Sequence, residues 1–351
     1  MADQLKARTV LGDVAGEALG TTLMHEHLFC DLTSALKDYE PEDPEGKDFF
    51  RAPVTLENLW WIRYHMCSNR DNLVLADKET AVREALHYKQ AGGGTIVDVT
   101  NSNFGRDPQA LVHVSRATGL NIIMGSGYYI ANTHPSDMDR SKEEAIREEI
   151  VSDVTSGVGG TGIRSGIIGE IGCSLPLTDN ERKVLRAASE AQRQTGAPMT
   201  VHPARNPEPD ITGTLEIIDI IRKAGANPDR TVMCHIDRTL RSAGERRRLA
   251  ETGCYLEYDI FGWEGYHVMS TVDLPNDNNR VNEIMQLVDE GYLDRILISQ
   301  DIAWKSRLTS YGGHGYGHIL RNVVPLMRHK GMTDEQIDTI LVENPRRLLC
   351  F

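Results

Sequence analysis

Positive charge is scarce and unclustered: 38 Lys and Arg stand against 51 Asp and Glu, for a formal net charge of -13. A phosphate-backbone ligand needs grouped cations, so the composition argues against nucleic acid as a partner. The one basic cluster, Arg246-Arg247-Arg248, falls on a predicted helix and reads as a solvated face. Long apolar runs are also missing. No stretch approaches the roughly 18 residues of a membrane span, and Met1-Ala2-Asp3-Gln4 does not begin an apolar signal segment, so neither membrane insertion nor export is expected. The six cysteines include no Cys-x-x-Cys pair, and Cys173, Cys234 and Cys254 lie in or beside apolar runs where buried free thiols are expected. That usage fits a reducing compartment, with the cytosol the expected location. No linker marks a second domain, and no glycine-rich phosphate turn follows a strand-like run; Ala91-Gly92-Gly93-Gly94 precedes one instead.

What is present is a globular composition, 40% hydrophobic over 351 residues, enough for a full core. Residues 8–20 read as a short N-terminal segment with a loop around Gly16, and residues 31–75 as an irregular insertion. The insertion carries an acidic, proline-containing stretch and then Trp60-Trp61, which either form part of a substrate lid or pack the excursion onto the body. From residue 76 helix and strand alternate. The predicted helices cover 76–90, 107–118, 141–155, 178–194, 213–224, 239–252 and 278–292. The strands run Thr95–Val99, Asn121–Gly125, Ser165–Glu170, Pro198–His202, Thr231–His235, Cys254–Asp259 and Arg295–Asp301. With the apolar run Thr22-Leu23-Met24 that leads into His25, eight strands alternate with helices. This predicts a (β/α)8 TIM barrel over 1–351, with a doubly wound open sheet as the alternative and closing helices at 315–329 and 333–342.

In such a barrel the C-terminal ends of the strands converge on one mouth. There the sequence places His25 and His27, spaced i, i+2 so that both imidazoles share one strand face, then Glu170, His202, His235 and Asp301. Singly, each has a plain reading, such as a hydrogen-bonded core histidine or a helix cap. Together, four histidines and two carboxylates make the ligand count of a two-cation site. Glu170 is the best placed bridge between cations about 3.5–4 Å apart. Imidazole with carboxylate suits zinc first, with manganese, cobalt or iron also possible.

Six stretches carry a further signal: Thr22-Leu23-Met24-His25-Glu26-His27, Gly166–Cys173, Val201-His202-Pro203, Cys234-His235-Ile236-Asp237-Arg238, Gly253–Asp259 and Tyr311–Tyr316. Through them the whole chain resembles the phosphotriesterase-like members of the amidohydrolase superfamily, most closely the phosphotriesterase-related proteins. The resemblance implies that His25, His27 and Asp301 bind the more buried metal, that His202 and His235 bind the more exposed one, and that Glu170 bridges them. In the phosphotriesterases proper a carbamylated lysine bridges; Glu170 makes bound carbon dioxide unnecessary. At Asp259-Ile260 those enzymes and their lactonase relatives have His or Arg after the Asp, which puts phosphotriester hydrolysis in doubt here.

Two cations sharing a water bring its pKa toward neutrality, and the expected reaction is attack by that hydroxide on a carbonyl carbon, with Asp301 passing the proton to the leaving group. Tyr129, after the third strand, is a candidate for orienting substrate. Arg205 and Lys305 on mouth loops could hold an anionic group, and His314 in the glycine-rich loop after the eighth strand could contact substrate or support a ligand. The resemblance points to amide hydrolysis of an N-acyltaurine such as N-acetyltaurine, or of a related small N-acyl amino acid. A lactonase or carboxylester hydrolase is the alternative within enzymes, and a ligand-binding barrel the alternative outside them. A homodimer is implied by the family resemblance.

Overall fold

The computed structural model describes residues 5–34, 41, 43–204, 211–266 and 273–351. Eight short parallel strands make the body: β1 Thr22–Glu26, β2 Thr95–Asp98, β3 Asn121–Met124, β4 Ile168–Gly172, β5 Met199–His202, β6 Thr231–Met233, β7 Tyr255–Tyr258 and β8 Ile296–Ile298. Ladders join β1-β2-β3 and β4-β5-β6-β7-β8. Two seams complete the (β/α)8 barrel. At β3/β4 the Gly166 amide donates to Met124 O at 3.0 Å, and at β8/β1 the Asp301 amide donates to His25 O at 3.1 Å. At the second seam Ser299 Oγ also accepts from the His25 amide at 2.9 Å. Strand β4 begins three residues later than the sequence suggests, because Gly166 and Gly169 lie at a seam where no regular ladder forms.

The helices between strands are α1 Lys78–Gln90, α2 Pro108–Thr118, α3 Glu143–Thr155, α4 Asp179–Thr195, α5 Thr212–Lys223, α6 Ala243–Ala250 and α7 Asp277–Asp289. Their starts follow from local chemistry. Asp77 and Asp107 accept from the Thr80 and Ala110 amides, and Thr178 with Glu181 forms a reciprocal capping box, each cap stabilising by about 1 kcal/mol. Arg246 in α6 departs from the solvated-face expectation: it is buried with its guanidinium 3.4 Å from Glu283, while Arg247 pairs with Glu290 on the surface. The last helical run also differs. It extends from Asp334 to Leu349 through a wide π turn at Thr339–Glu343, as the preceding run does at Ile319–Val323. Each wide turn sits just before a proline, Pro345 or Pro325, whose missing N–H and bulky ring do not tolerate an ordinary α turn.

Two apolar layers result. Strand faces pack outward on the helices, while Met24, Val97, Val99, Ile123, Ile167, Val232, Tyr255 and Leu297 fill the barrel interior. The interior is sealed from below by both chain ends. Residues Lys6–Thr9 and Gly12–Ala15 form an antiparallel hairpin where a simple segment was expected, and Ala7 and Leu19 pack with Leu348, Leu349 and Cys350. Arg230 donates to Leu348 O at 2.9 Å and Cys350 O at 2.7 Å, fastening that floor. With the rear covered by the chain ends, the strand ends lie at the opposite face of the barrel. The insertion is pinned at its base by Cys30–Asp31 pairing with Val74–Leu75. Trp61 is buried with Val54 and Ile62 and stacks on His65, as the packing reading requires, whereas Trp60 is exposed. Among the described residues no helix is long and apolar enough to cross a membrane.

Candidate active site

The strand ends bring the six predicted ligands together. The two oxygens of Glu170 divide them: Oε1 lies 3.4 Å from His27 Nε2, and Oε2 lies 2.6 Å from His202 Nδ1, 3.4 Å from His235 Nε2 and 3.6 Å from His25 Nε2. Asp301 Oδ1 completes the inner group at 3.1 Å from His27 Nε2 and 3.8 Å from His25 Nε2. Glu170 reaches this position because Gly169 precedes it. Gly169 has φ +118°, and a Cβ there would lie 2.3 Å from Thr200 O, so no other residue lets β4 sit this close to β5. Among the described residues His235 and Asp301 are the non-glycine residues with positive φ, 54° and 49°. Both are candidate ligands, and strained backbone of this kind concentrates at functional sites.

A layer behind the six fixes the rings. His235 Nδ1–H donates to Asp259 Oδ1 at 2.7 Å, and Asp259 Oδ2 accepts from the His235 amide at 2.9 Å while lying 3.4 Å from His25 Nδ1. Glu257 Oε2 is 3.4 Å from the same His25 nitrogen, and Thr100 Oγ1 is 2.8 Å from His27 Nδ1. Glu26 turns away from the mouth and accepts from Ser299 Oγ and from the Gln300 and Ile302 amides, holding the loop that presents Asp301. Cys234 joins the cluster from β6, its thiol donating to Val201 O at 3.1 Å; burial pushes that thiol well up, so it stays neutral.

The donor set fits divalent cations. His25 Nε2 is buried with no hydrogen-bond partner, yet it faces two carboxylate oxygens at more than hydrogen-bond distance, as expected of an atom aimed at a shared ion. Six buried carboxyl groups, Glu26, Asp98, Glu170, Glu257, Asp259 and Asp301, lie in or directly behind the mouth beside four imidazoles. Burial pushes Glu26, Glu257 and Asp259 up to about 7. Burial also works against the anions of Glu170 and Asp301, but His202 and His25 hold Glu170 well below the usual range, and the His27 hydrogen bond with neighbouring imidazoles brings Asp301 to about 2. His25 is raised well above an ordinary imidazole because Asp259 and Glu170 outweigh its burial, whereas burial takes His202 down to about 3. A pocket so rich in buried acid calls for positive charge.

The predicted substrate residues fare differently. Tyr129 reaches the mouth, with Oη 3.5 Å from His202 Nε2 and its ring edge-on to His202 and against Phe104. Lys305 gives its ammonium to Asp71 at 2.6 Å, tying the β8 loop to the insertion. His314 stacks on His318, whose Nε2 is 2.7 Å from Asp277. Arg205 lies outside the described residues. Arg238 was not singled out: its Nη2 stands 3.1 Å from His202 Nε2, on a short helix Ile236–Thr239 directly after β6. Its position three residues past His235 is the signal that could have found it.

A (β/α)8 barrel with imidazoles and carboxylates gathered at its C-terminal mouth defines the class of metal-dependent hydrolases. The sequence profile of the Phosphotriesterase family matches residues 5–349, and the chain belongs to that family. N-acetyltaurine hydrolase from Bos taurus is 43% identical over 349 residues, 99% of this chain and 98% of the relative. Among solved structures, a resiniferatoxin-binding protein from Rhodobacter sphaeroides is similar at TM-score 0.92 and 36% identity, over 98% of this chain and 95% of that one. A lactonase from Listeria monocytogenes is similar at TM-score 0.79 and 25% identity, over 99% of each chain. The chain is a metal-dependent hydrolase of this family, with a small molecule as substrate.

Proposed function

We propose that this chain hydrolyses the amide bond of N-acetyltaurine or a closely related small N-acyl amino acid, with two divalent cations, zinc first among them, held by His25, His27, Glu170, His202, His235 and Asp301. The observation that carries the reading is Glu170 standing among all four imidazoles, Oε1 toward His27 and Oε2 toward His202, His235 and His25, beside the orphaned His25 Nε2. The curated relatives named N-acetyltaurine hydrolase support the substrate class. When bound, the cations supply Lewis acidity toward a carbonyl oxygen and acidify water at neutral pH.

The chain's own residues do the rest. His27 and Asp301 gather by Glu170 Oε1, His202 and His235 by Oε2 nearer Tyr129, and His25 stands between the two groups. The Tyr129 hydroxyl orients the acyl group from the mouth wall. Asp301, at the end of β8 and 8% exposed, accepts the proton of the attacking water and delivers it to the leaving nitrogen, so the C–N bond breaks to give an acid and an amine. Burial of the cluster keeps bulk water from competing for that proton. Lactone hydrolysis is the second reading, favoured by the Listeria lactonase.

The test is elemental analysis of the purified protein, paired with turnover of N-acetyltaurine, an aliphatic lactone and an aryl ester. About two metals per chain with selectivity for N-acetyltaurine is the expected result. Selectivity for the lactone replaces the substrate class, and less than one metal after supplementation with no turnover overturns the reading.

A further inference from the structure

Arg238 is buried, 7% exposed, and among the described residues no carboxylate lies within ion-pair distance of its guanidinium. The other buried arginines near the mouth are compensated: Arg280 pairs with Asp237 and Asp277 at 2.8 Å, and Arg307 donates to Phe261 O and Gln300 O. What Arg238 has is His202 Nε2 at 3.1 Å. That contact is a hydrogen bond only while Nε2 is the bare nitrogen of the ring. His202 turns its other nitrogen, Nδ1, toward Glu170 Oε2 and His235 Nε2. His202 would present the Nδ1 lone pair to a cation held there, and its ring proton would then sit on Nε2. Arg238 then faces a donor with a donor, and a buried guanidinium is left without an acceptor. The molecule does not let the arm swing away freely. Asp237, the preceding residue, accepts from Arg280 Nε at 2.8 Å and lies 3.3 Å from the Ile260 amide, so the short helix carrying Arg238 is anchored in the core.

We propose that Arg238 holds the acid group at the far end of the substrate, the sulfonate or carboxylate of an N-acyl amino acid, one imidazole ring away from the carbonyl being cleaved. The proposal rests on the amide-hydrolase reading for the identity of the substrate but not for the anion site itself. The spacing suits a short tail: an amide carbon and an acid group two carbons beyond the nitrogen are separated by roughly 5 Å from ordinary bond lengths. A planar guanidinium offers two parallel N–H groups to two oxygens of one anion, which a lysine does not. Tyr129 Oη, 3.5 Å from His202 Nε2, can accept a hydrogen bond from the ring N–H in this state.

The experiment compares wild type, Arg238→Met and Arg238→Lys, each loaded with metal and assayed for metal content, on N-acetyltaurine, N-acetyl-β-alanine and uncharged N-propylacetamide. The ratio of kcat/KM for the charged amides to that for the neutral one is expected to fall about 10- to 100-fold in Arg238→Met, mostly through KM, with Arg238→Lys between. A fall for one charged amide alone identifies which acid group the site takes, and an unchanged ratio overturns the proposal. Calorimetric binding of propanesulfonate to the metal-loaded proteins needs no turnover. Loss of that binding in Arg238→Met supports the anion site even if no amide is cleaved, a result that would sink the amide reading alone. Equal binding by both proteins, or none by wild type, overturns the site. If Arg238→Met fails to hold metal, Arg238→Lys decides, because it keeps the charge and loses the fork.

Discussion

Replacing Asp259 with alanine is expected to weaken metal binding more than any other change that leaves all six proposed ligands in place. The carboxylate spans two strands' worth of candidate ligands: one oxygen takes the His235 Nδ1 proton at 2.7 Å, and the other takes the His235 amide at 2.9 Å and stands 3.4 Å from His25 Nδ1. Removing it takes away the Nδ1 partner of His235 and one of the two carboxylates beside His25 Nδ1, the other being Glu257, whereas removing the Thr100 hydroxyl touches only His27. Loss of one supporting contact of this kind commonly costs 10- to 100-fold in metal affinity, or about 1.4–2.7 kcal/mol. A hydrogen bond to a charged acceptor contributes about 1.5–3 kcal/mol, which gives the same range independently. Asp259→Ala should therefore lose at least about 10-fold in affinity, Asp259→Asn less because its amide oxygen still accepts from Nδ1–H, and Thr100→Val less than Asp259→Ala. The assay is competition against a chelator of known affinity, with bound metal counted by elemental analysis after desalting. Equal affinity in wild type and Asp259→Ala would refute the idea that this carboxylate orients the rings.

Asp301→Asn is expected to keep most of the metal and to lose about 100-fold or more in kcat, since proton transfer by a positioned group contributes that much; unchanged kcat removes Asp301 from the proton path. Arg280→Met should lower Tm by about 4–7 °C, because it strands the buried Asp237 carboxylate at a cost of about 3–5 kcal/mol, and Arg280→Met with Asp237→Asn should recover part of that loss in a thermal melt. Arg230→Met should cost about 1–3 kcal/mol in urea unfolding by releasing the Leu348 and Cys350 carbonyls, without changing metal content. Asp277 sits below its ordinary value of 3.8; burial opposes its anion, but the His318 hydrogen bond, the Gly262 amide and Arg280 prevail. Its stabilisation is present above that ordinary value and lost as pH falls through the lower folded value. Asp277→Asn should therefore flatten the acid limb of a stability-against-pH curve, and an unaltered limb would show that the anion contributes nothing.

The alternation of strands and helices was legible because each strand is mostly apolar and several helices begin at a recognisable cap such as Asp77 or Thr178. The six converging residues were legible because barrel geometry sends every strand end to one place. Where the sequence misled, the cause was local. The closing helix expected at 333–342 runs on to Leu349, because a wide turn lets it absorb Pro345. Lys305 looked free because its partner Asp71 lies 234 residues away in the insertion. Arg238 is harder to place from sequence because its spacing from His235 is the one local signal, and its approach to His202 depends on a one-turn helix after β6. Asp259 and Glu257 were visible as strand residues, but their roles depend on rings contributed from β1 and β6.

The seam between β8 and β1 joins residues from opposite ends of the proposed ligand set. His25 and His27 are made near the start of synthesis, while Asp301, together with the Ser299, Gln300 and Ile302 groups that grip Glu26, emerges from the ribosome near the end. A nascent chain halted before β8 has neither the clasp nor the inner carboxylate, so it offers only a partial and mobile set of donors. On the proposed ligand set, the complete site is therefore assembled only once the first and last strands have met.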